Sequence, residues 1–244
     1  MRAYVSYLDP ETLSWEEILN SNGVVTGVHR RIYNKDPESG DFTSFADIPK
    51  GWIGPSGAHY HSTFEEAFIL SGSLTLDGED YLESGSYLYR PGMVVHGWTE
   101  LSEGAHIIIR RGGPADIIPV EKLHSYEYPY EEVHDGRPHI LHLRTDELEW
   151  TWHGADKDRY GIKVLSQDKD SGARTLLLHL PPGWNGSYSG PNERAVECVV
   201  VSGEMSLADG TVFGQSCYFC RPPGVDDDPI AHSKQGSTLL MWEE

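Results

Sequence analysis

Short runs in which apolar and polar residues alternate dominate the chain. In "SLTLDGEDYLE" Leu74 and Leu76 alternate with polar neighbours, and Asp77-Gly78 supplies a turn, which predicts a hairpin. "AHIIIRR" and "STLLMW" read as buried closing strands. Gly and Pro punctuate these runs, with 26 Gly and 15 Pro in 244 residues, which favours many short strands. The one helical signal is Ser14 to Leu19, where a Ser before Trp-Glu-Glu predicts a single short turn. Evenly spaced strands with turn residues between them predict an antiparallel sandwich or a closed barrel, which hides its edges.

The pattern occurs twice. "NKDPESGDFTSFADIPKGWIG" (34–54) parallels "QDKDSGARTLLLHLPPGWNG" (167–186), and "FILSGSLTLDG" (68–78) parallels "VVVSGEMSLADG" (199–210). "YLYRPG" (87–92) parallels "YFCRPPG" (218–224), and "LSW" at Leu13 returns as "LEW" at Leu148. Four matches in one order at nearly one offset imply a duplicated unit. The expected organisation is an N-terminal unit over 1–120, a polar, Tyr-rich connector over 121–136, and a C-terminal unit over 137–244.

Charge and cysteine content narrow the partners. The formal charge is −19 and no stretch clusters Lys and Arg, which argues against nucleic acid or an anionic membrane. Three cysteines make no disulfide framework, and Cys217 and Cys220 sit on a predicted strand at a spacing that turns them to opposite faces. No signal-peptide core follows Met1, and no apolar run approaches the ~20 residues of a membrane span. A cytoplasmic protein is expected.

The chemistry concentrates in "GPSGAHYHSTFEEAFILSG", 54–72. Residues two apart on a strand share a face, so His59 and His61 point one way. Glu65 follows, with Glu66 as its rival; alternation turns the two to opposite sides. "GSYLYRPGMVVHGW" (85–98) then brings His96 on a neighbouring strand. Three imidazoles and a carboxylate suit Fe, Mn, Ni, Cu or Zn rather than Ca or Mg. Trp98 has the parity of His96 and is a candidate pocket wall. His106, on the following strand, is a candidate acid/base. Tyr60 is expected to face away, and Tyr87, Tyr89 and Arg90 to be structural.

The spacing of Gly54, His59, His61, Glu65 and Gly72, followed by Gly85, Pro91 and His96, resembles the two motifs of the cupin superfamily. With the duplication, the chain resembles a bicupin, two tandem jelly-roll barrels. Met93 stands where that pattern has its usual second-motif glycine. The resemblance implies that His59, His61, Glu65 and His96 hold one divalent transition metal, iron foremost, with Zn, Mn or Ni as alternatives. It implies also a homodimer by analogy. In the second unit Gly190 or Pro191 and Asn192 or Glu193 fall at the histidine positions, Glu197 is a candidate match for Glu65, and Asp227 falls near His96. That unit is expected to be structural, or else to hold a hard ion on Glu193, Glu197 and Asp227. Three functions follow: an iron dioxygenase acting on a chelating ketone, enol or phenol; a non-redox lyase, isomerase or hydrolase; or a non-catalytic binding module.

Overall fold

The computed structural model describes residues 2–55, 57–97, 100–114, 116–120, 136–225 and 230–244. Trp98, Asp227 and, but for Gly136, the expected connector over 121–136 lie outside them. Two compact units divide the chain: Leu13–Thr145, and Asp146–Glu244 together with Met1–Thr12.

The described secondary structure is strand with a few 3-10 turns. In chain order the strands are β1 (Val5–Leu8), β2 (Glu16–Leu19), β3 (Val25–Lys35), β4 (Phe42–Ile53), β5 (His59–Tyr60), β6 (Glu65–Thr75), β7 (Tyr81–Glu83), β8 (Ser86–Arg90), β9 (Leu101–Arg111), β10 (Ile118–Pro119) and β11 (Ile140–Arg144). They continue as β12 (Thr151–His153), β13 (Tyr160–Gln167), β14 (Arg174–Leu180), β15 (Trp184–Tyr188), β16 (Val196–Gly203), β17 (Met205–Leu207), β18 (Val212–Phe213), β19 (Tyr218–Arg221), β20 (Ile230–Ser233) and β21 (Ser237–Glu243). The all-β, antiparallel architecture expected from the alternation is present, and it is consistent with the jelly-roll barrels that the cupin resemblance implies. No helix among the described residues is long and apolar enough to cross a membrane.

The N-terminal unit has a seven-stranded sheet in the order β11-β8-β6-β9-β4-β3-β2, and the C-terminal unit one in the order β1-β19-β16-β21-β14-β13-β12. Strand for strand the two orders correspond. Each unit's edge strand is supplied by a segment that precedes that sheet's counterpart repeat. Residues 140–144 pair with β8 in the N-terminal unit, and residues 5–8 pair with β19 in the C-terminal unit. The expected bounds, 1–120 and 137–244, put residues 5–8 and 140–144 in the opposite units, whereas strand pairing groups 5–8 with 146–244 and 140–144 with 13–139. A polar clasp holds each edge. His142 donates or accepts at Ser86 Oγ (2.9 Å) and contacts Asp80 at 2.6 Å, while at the matching place Tyr7 meets Cys217 at 3.6 Å. The Asp-His-Ser arrangement is thus a clasp: Ser86 is buried, and its counterpart unit does the same work with a Tyr-Cys pair.

The Ser14–Leu19 segment is not a helical turn. The 3-10 turn forms earlier, over Pro10–Thr12, where Asp9 accepts from Glu11 and Thr12. Glu16–Leu19 is β2, hydrogen-bonded along β3. Pairing to a long neighbour outweighs the weak local helix signal, and places Ile18 on the cavity side.

Alternation along β6 and β9 builds the barrel interior. Glu65, Ala67 and Ile69 face in, with Ile107, Ile109 and Arg111 opposite them. Phe68, Leu70 and Ile108 are buried on the reverse face. Gly72 and its counterpart Gly203 have φ +77° and +75°, and a Cβ on either would collide with a backbone carbonyl, of Gly104 or Gly236. Such a close crossing of two strands at positive φ admits glycine only.

Candidate metal centre

Each imidazole is placed by backbone. His59 N donates to His96 O and His96 N to His59 O, both at 2.8 Å, an antiparallel bridge that sets the two side chains beside each other. Met93 N donates to His61 O at 2.8 Å and fixes the third. The ring centroids lie 4.4 Å (His59–His96), 5.0 Å (His61–His96) and 5.2 Å (His59–His61) apart. All three residues are buried, and one ligand atom from each lies within 4.8 Å of the others. Among the described residues this is the group of three or more that can hold a metal.

The tautomers follow from the partners. His59 Nδ1 meets Gly57 O at 2.8 Å, His61 Nδ1 meets Asp116 O at 2.5 Å, and His96 Nδ1 meets Val94 O at 3.0 Å. A carbonyl oxygen only accepts, so each Nδ1 carries the hydrogen and each Nε2 keeps a bare lone pair. Burial pushes the pKa of His59 down and that of His96 well below its ordinary value, in the latter case with help from Arg90 and His59. Both rings are therefore neutral at neutral pH, the state a metal requires.

Glu65 completes the face. Its Oε1 is 3.4 Å from His61 Nε2 and its Oε2 is 3.5 Å from His96 Nε2. With Nδ1 protonated, these are acceptors facing acceptors, with no imidazole hydrogen between them. A cation at that point satisfies both sides, so the residues fit a divalent metal. Glu65 also accepts from Arg90 Nη1 at 3.0 Å, with Arg111 Nε at 3.9 Å. Arg90 is thus not only structural: it is buried, lines the cavity and neutralises part of the carboxylate. Glu66 points to the opposite face, where Tyr87 donates to it at 2.6 Å and Arg110 and Arg137 stand at 3.9 and 3.8 Å.

A second carboxylate lies at the site, and the sequence reading missed it. Glu100 Oε1 is 3.9 Å from His59 Nε2, and the side chain is buried. Burial, then the charge of Glu65, raises its pKa to about 8, against the pull of Arg90. A Cβ on Gly54 would collide with the Glu100 carboxyl, and one on Gly97 would come within 2.8 Å of it. The glycine bracketing of the motif thus has a local purpose, which was the available signal. Asp116, whose carbonyl orients His61, had none, because a backbone oxygen leaves no mark on residue type.

His106 is not in the cavity. Its side chain is half exposed, 3.3 Å from Asp47 and 3.2 Å from Ser71 Oγ, on the outer face of β9. Alternation turns Ile107 and Ile109 inward instead. Trp98 lies outside the described residues. The cavity itself measures about 130 Å³ and lies within the N-terminal unit. Much of its wall is aliphatic, including Val28, Ile48, Ile69, Leu74 and Ile107.

In the C-terminal unit the ladder matches Val196, opposite Arg221, to Glu65, opposite Arg90. Glu197 therefore corresponds to Glu66, not to Glu65. It accepts from Tyr218 at 2.9 Å, as Glu66 does from Tyr87, and it pairs with Arg2. Gly224 N donates to Asn192 O as Met93 N does to His61 O, which matches Asn192 to His61. Met93 has φ +69° and Gly224 φ +73°, so the two share one left-handed turn.

No curated protein matches this sequence. Among solved structures, a candidate dioxygenase from Nostoc punctiforme is similar at TM-score 0.80 and 18% identity, over 98% of this chain and 81% of that one. Protein Ylba from E. coli, of family DUF861, is similar at 0.66 and 15%, over 98% and 90%. The oxalate decarboxylase of Lactobacillus farciminis, in a formate complex, is similar at 0.64 and 11%, over 99% and 86%. These neighbours are cupin-type, and at such identities the likeness is one of fold. A family model described as "Domain of unknown function (DUF4437)" matches residues 11–241, nearly the whole chain, and the protein belongs to that family.

Proposed function

We propose that the N-terminal unit is a metal-dependent enzyme site for a small molecule, with His59, His61, His96 and Glu65 as ligands of one divalent transition metal. One observation carries the reading: three buried imidazoles, each with Nδ1 tied to a carbonyl, bring bare Nε2 atoms together, and two of them face Glu65 at 3.4 and 3.5 Å, a carboxylate that cannot donate to them when ionised. Four ligands of this type leave positions open on a six-coordinate metal; nitrogen-rich donors suit iron, manganese, nickel or zinc, and the cupin resemblance puts iron first. A bound iron would supply dioxygen chemistry, and dioxygenase is the reading favoured here. The chain's own residues hold the ligands in the neutral tautomer, and the aliphatic part of the wall gives a substrate an apolar surface beside them.

Glu100 favours a second reading. A buried carboxyl beside His59, which burial raises towards neutrality in the metal-free chain, is placed to carry a proton to or from a substrate without redox change. The proposal also takes the protein as a bicupin whose C-terminal unit is structural, since Asn192 and Val196 stand where His61 and Glu65 stand. A cytoplasmic homodimer belongs to the same proposal and is checked by light scattering.

The test is elemental analysis of protein purified without affinity nickel, followed by oxygen-electrode measurements on the iron-loaded protein. About one iron per N-terminal unit, with dioxygen uptake on adding chelating ketones, enols or phenols, is expected. Turnover that persists under argon moves the reading to non-redox chemistry. Failure to take up any transition metal on titration overturns both.

A further inference from the structure

The cavity's charge is at odds with the chain's. The protein carries −19 overall, yet Arg30, Arg90 and Arg111 all line this one cavity, against two carboxylates, Glu65 and Glu100. Arg90 is matched to Glu65 at 3.0 Å. The other two guanidiniums are less well satisfied. Arg111, 4% exposed, uses Nη2 on the Asp116 carbonyl at 2.9 Å, while its Nε makes no hydrogen bond. Arg30 Nε also makes none; its ion partner Glu16 is 3.7 Å away, with a side chain 54% exposed. An N–H buried without an acceptor is costly, and more so on a charged group. Two at one cavity call for an acceptor from outside the chain.

The two arginines lie at one end of the barrel. Arg30 sits 4.8 Å over the ring of Phe42, and Phe42 is the ladder partner of Arg111. They are near enough to repel each other. That end adjoins the metal centre, because Arg111 Nε is 3.9 Å from Glu65 Oε1, which is 3.4 Å from His61 Nε2. Aliphatic side chains line much of the remaining wall.

We infer that the cavity takes a small organic acid: its carboxylate on Arg111 and Arg30, an oxygen on the adjoining carbon towards the three imidazoles, and an apolar tail against Val28, Ile48, Ile69 and Leu74. A guanidinium matches a carboxylate in shape as well as charge. A 2-oxo or 2-hydroxy acid with an aliphatic side chain has all three features, whereas a neutral diketone leaves both arginines unanswered. The inference names the substrate class of the metal site proposed above and rests on that reading for the role of the second oxygen.

The test is calorimetric titration of the full-length protein, zinc-loaded and metal-stripped, with 4-methyl-2-oxopentanoate and with its uncharged amide. The acid is expected to bind at least about tenfold tighter than the amide, a gap that one charge-assisted bidentate pair supports. Arg30→Met and Arg111→Met should each shrink the gap, because each weakens the acid more than the amide. Arg30 is only partly buried, so Arg30→Met keeps the test alive should Arg111→Met fold poorly, and the wild-type comparison needs no variant at all. Equal binding of acid and amide, binding of neither, or a gap untouched by Arg30→Met overturns the inference. A preference for the acid in protein that takes up no metal upholds the anion site and removes the metal reading, so the two fail separately.

Discussion

Glu65 accepts a hydrogen bond from Arg90 at 3.0 Å while the same carboxylate oxygen lies 3.5 Å from His96 Nε2. One side chain thus answers a buried guanidinium and faces a bare imidazole nitrogen. The fold and the proposed chemistry share this carboxylate, so removing it should damage both.

Glu65→Ala leaves Arg90 buried without its ionic partner, and breaking such a pair costs about 3–5 kcal/mol. The variant should lose stability on that scale in urea titration and lose metal affinity as well. The double variant Glu65→Met with Arg90→Met should be more stable than Glu65→Ala, because no orphaned charge is left. Additive losses in the double variant would show that the pair is not coupled.

His59→Ala, His61→Ala and His96→Ala should each lower metal affinity by at least about 100-fold in equilibrium dialysis, since each removes one of three convergent nitrogens. His106→Ala should bind metal as the wild type does, because that ring lies on the outer face with Asp47. A loss in His106→Ala matching that in His61→Ala would contradict the placement of the site.

Glu100 should imprint the stability of the metal-free protein with a pH slope. Its ordinary pKa is 4.5, and folding raises it to about 8. Between those values the native chain keeps a proton that the unfolded chain has released, so its contribution falls as pH rises. Thermal melts of metal-free wild type should therefore lose ground to Glu100→Gln from about pH 5 to pH 8. Metal loading should flatten the difference, since a nearby cation favours the carboxylate. Parallel melting curves for the two proteins across that range would refute the assignment.

Gly72→Ala and Gly203→Ala should each cost at least about 2 kcal/mol, from left-handed backbone strain together with collision against a facing carbonyl. Similar losses are expected because the two glycines occupy the same crossing in their units. Melting temperatures unchanged within a degree in either variant would show that the crossing relaxes freely.

Met93 is the converse case. It holds φ +69° at the place where Gly224 serves in the other unit. Relief of left-handed strain is worth roughly 1–2 kcal/mol, less the extra flexibility glycine gives the unfolded chain. Met93→Gly should thus be neutral to mildly stabilising in urea titration. A clear destabilisation would mean that the Met93 side chain contributes packing larger than the strain.

The residues by themselves determined the strand-rich fold and brought the three histidines to notice, and the sequence repeats run parallel to two sheets of matching strand order. These rest on local rules: alternation with period two, glycine at turns, and ligand spacing along one chain segment. Glu65 was separable from Glu66 by the same parity. Tertiary structure decided what depends on partners remote in sequence. The segment at Ser14 became β2 because β3 lay alongside. Residues 5–8 and 140–144 joined sheets that their own repeats did not announce. His106 turned outward by the pairing of β9, and Glu197 took the role of Glu66 through a ladder register that sequence alignment left open by one residue. The Asp116 carbonyl and the unanswered N–H groups of Arg30 and Arg111 became visible only once the strands of the barrel had closed around them, and Glu100 was signalled only by the glycines packed on it. Burial and unmet hydrogen-bonding capacity are properties of an enclosed space, and no linear pattern of residues records them.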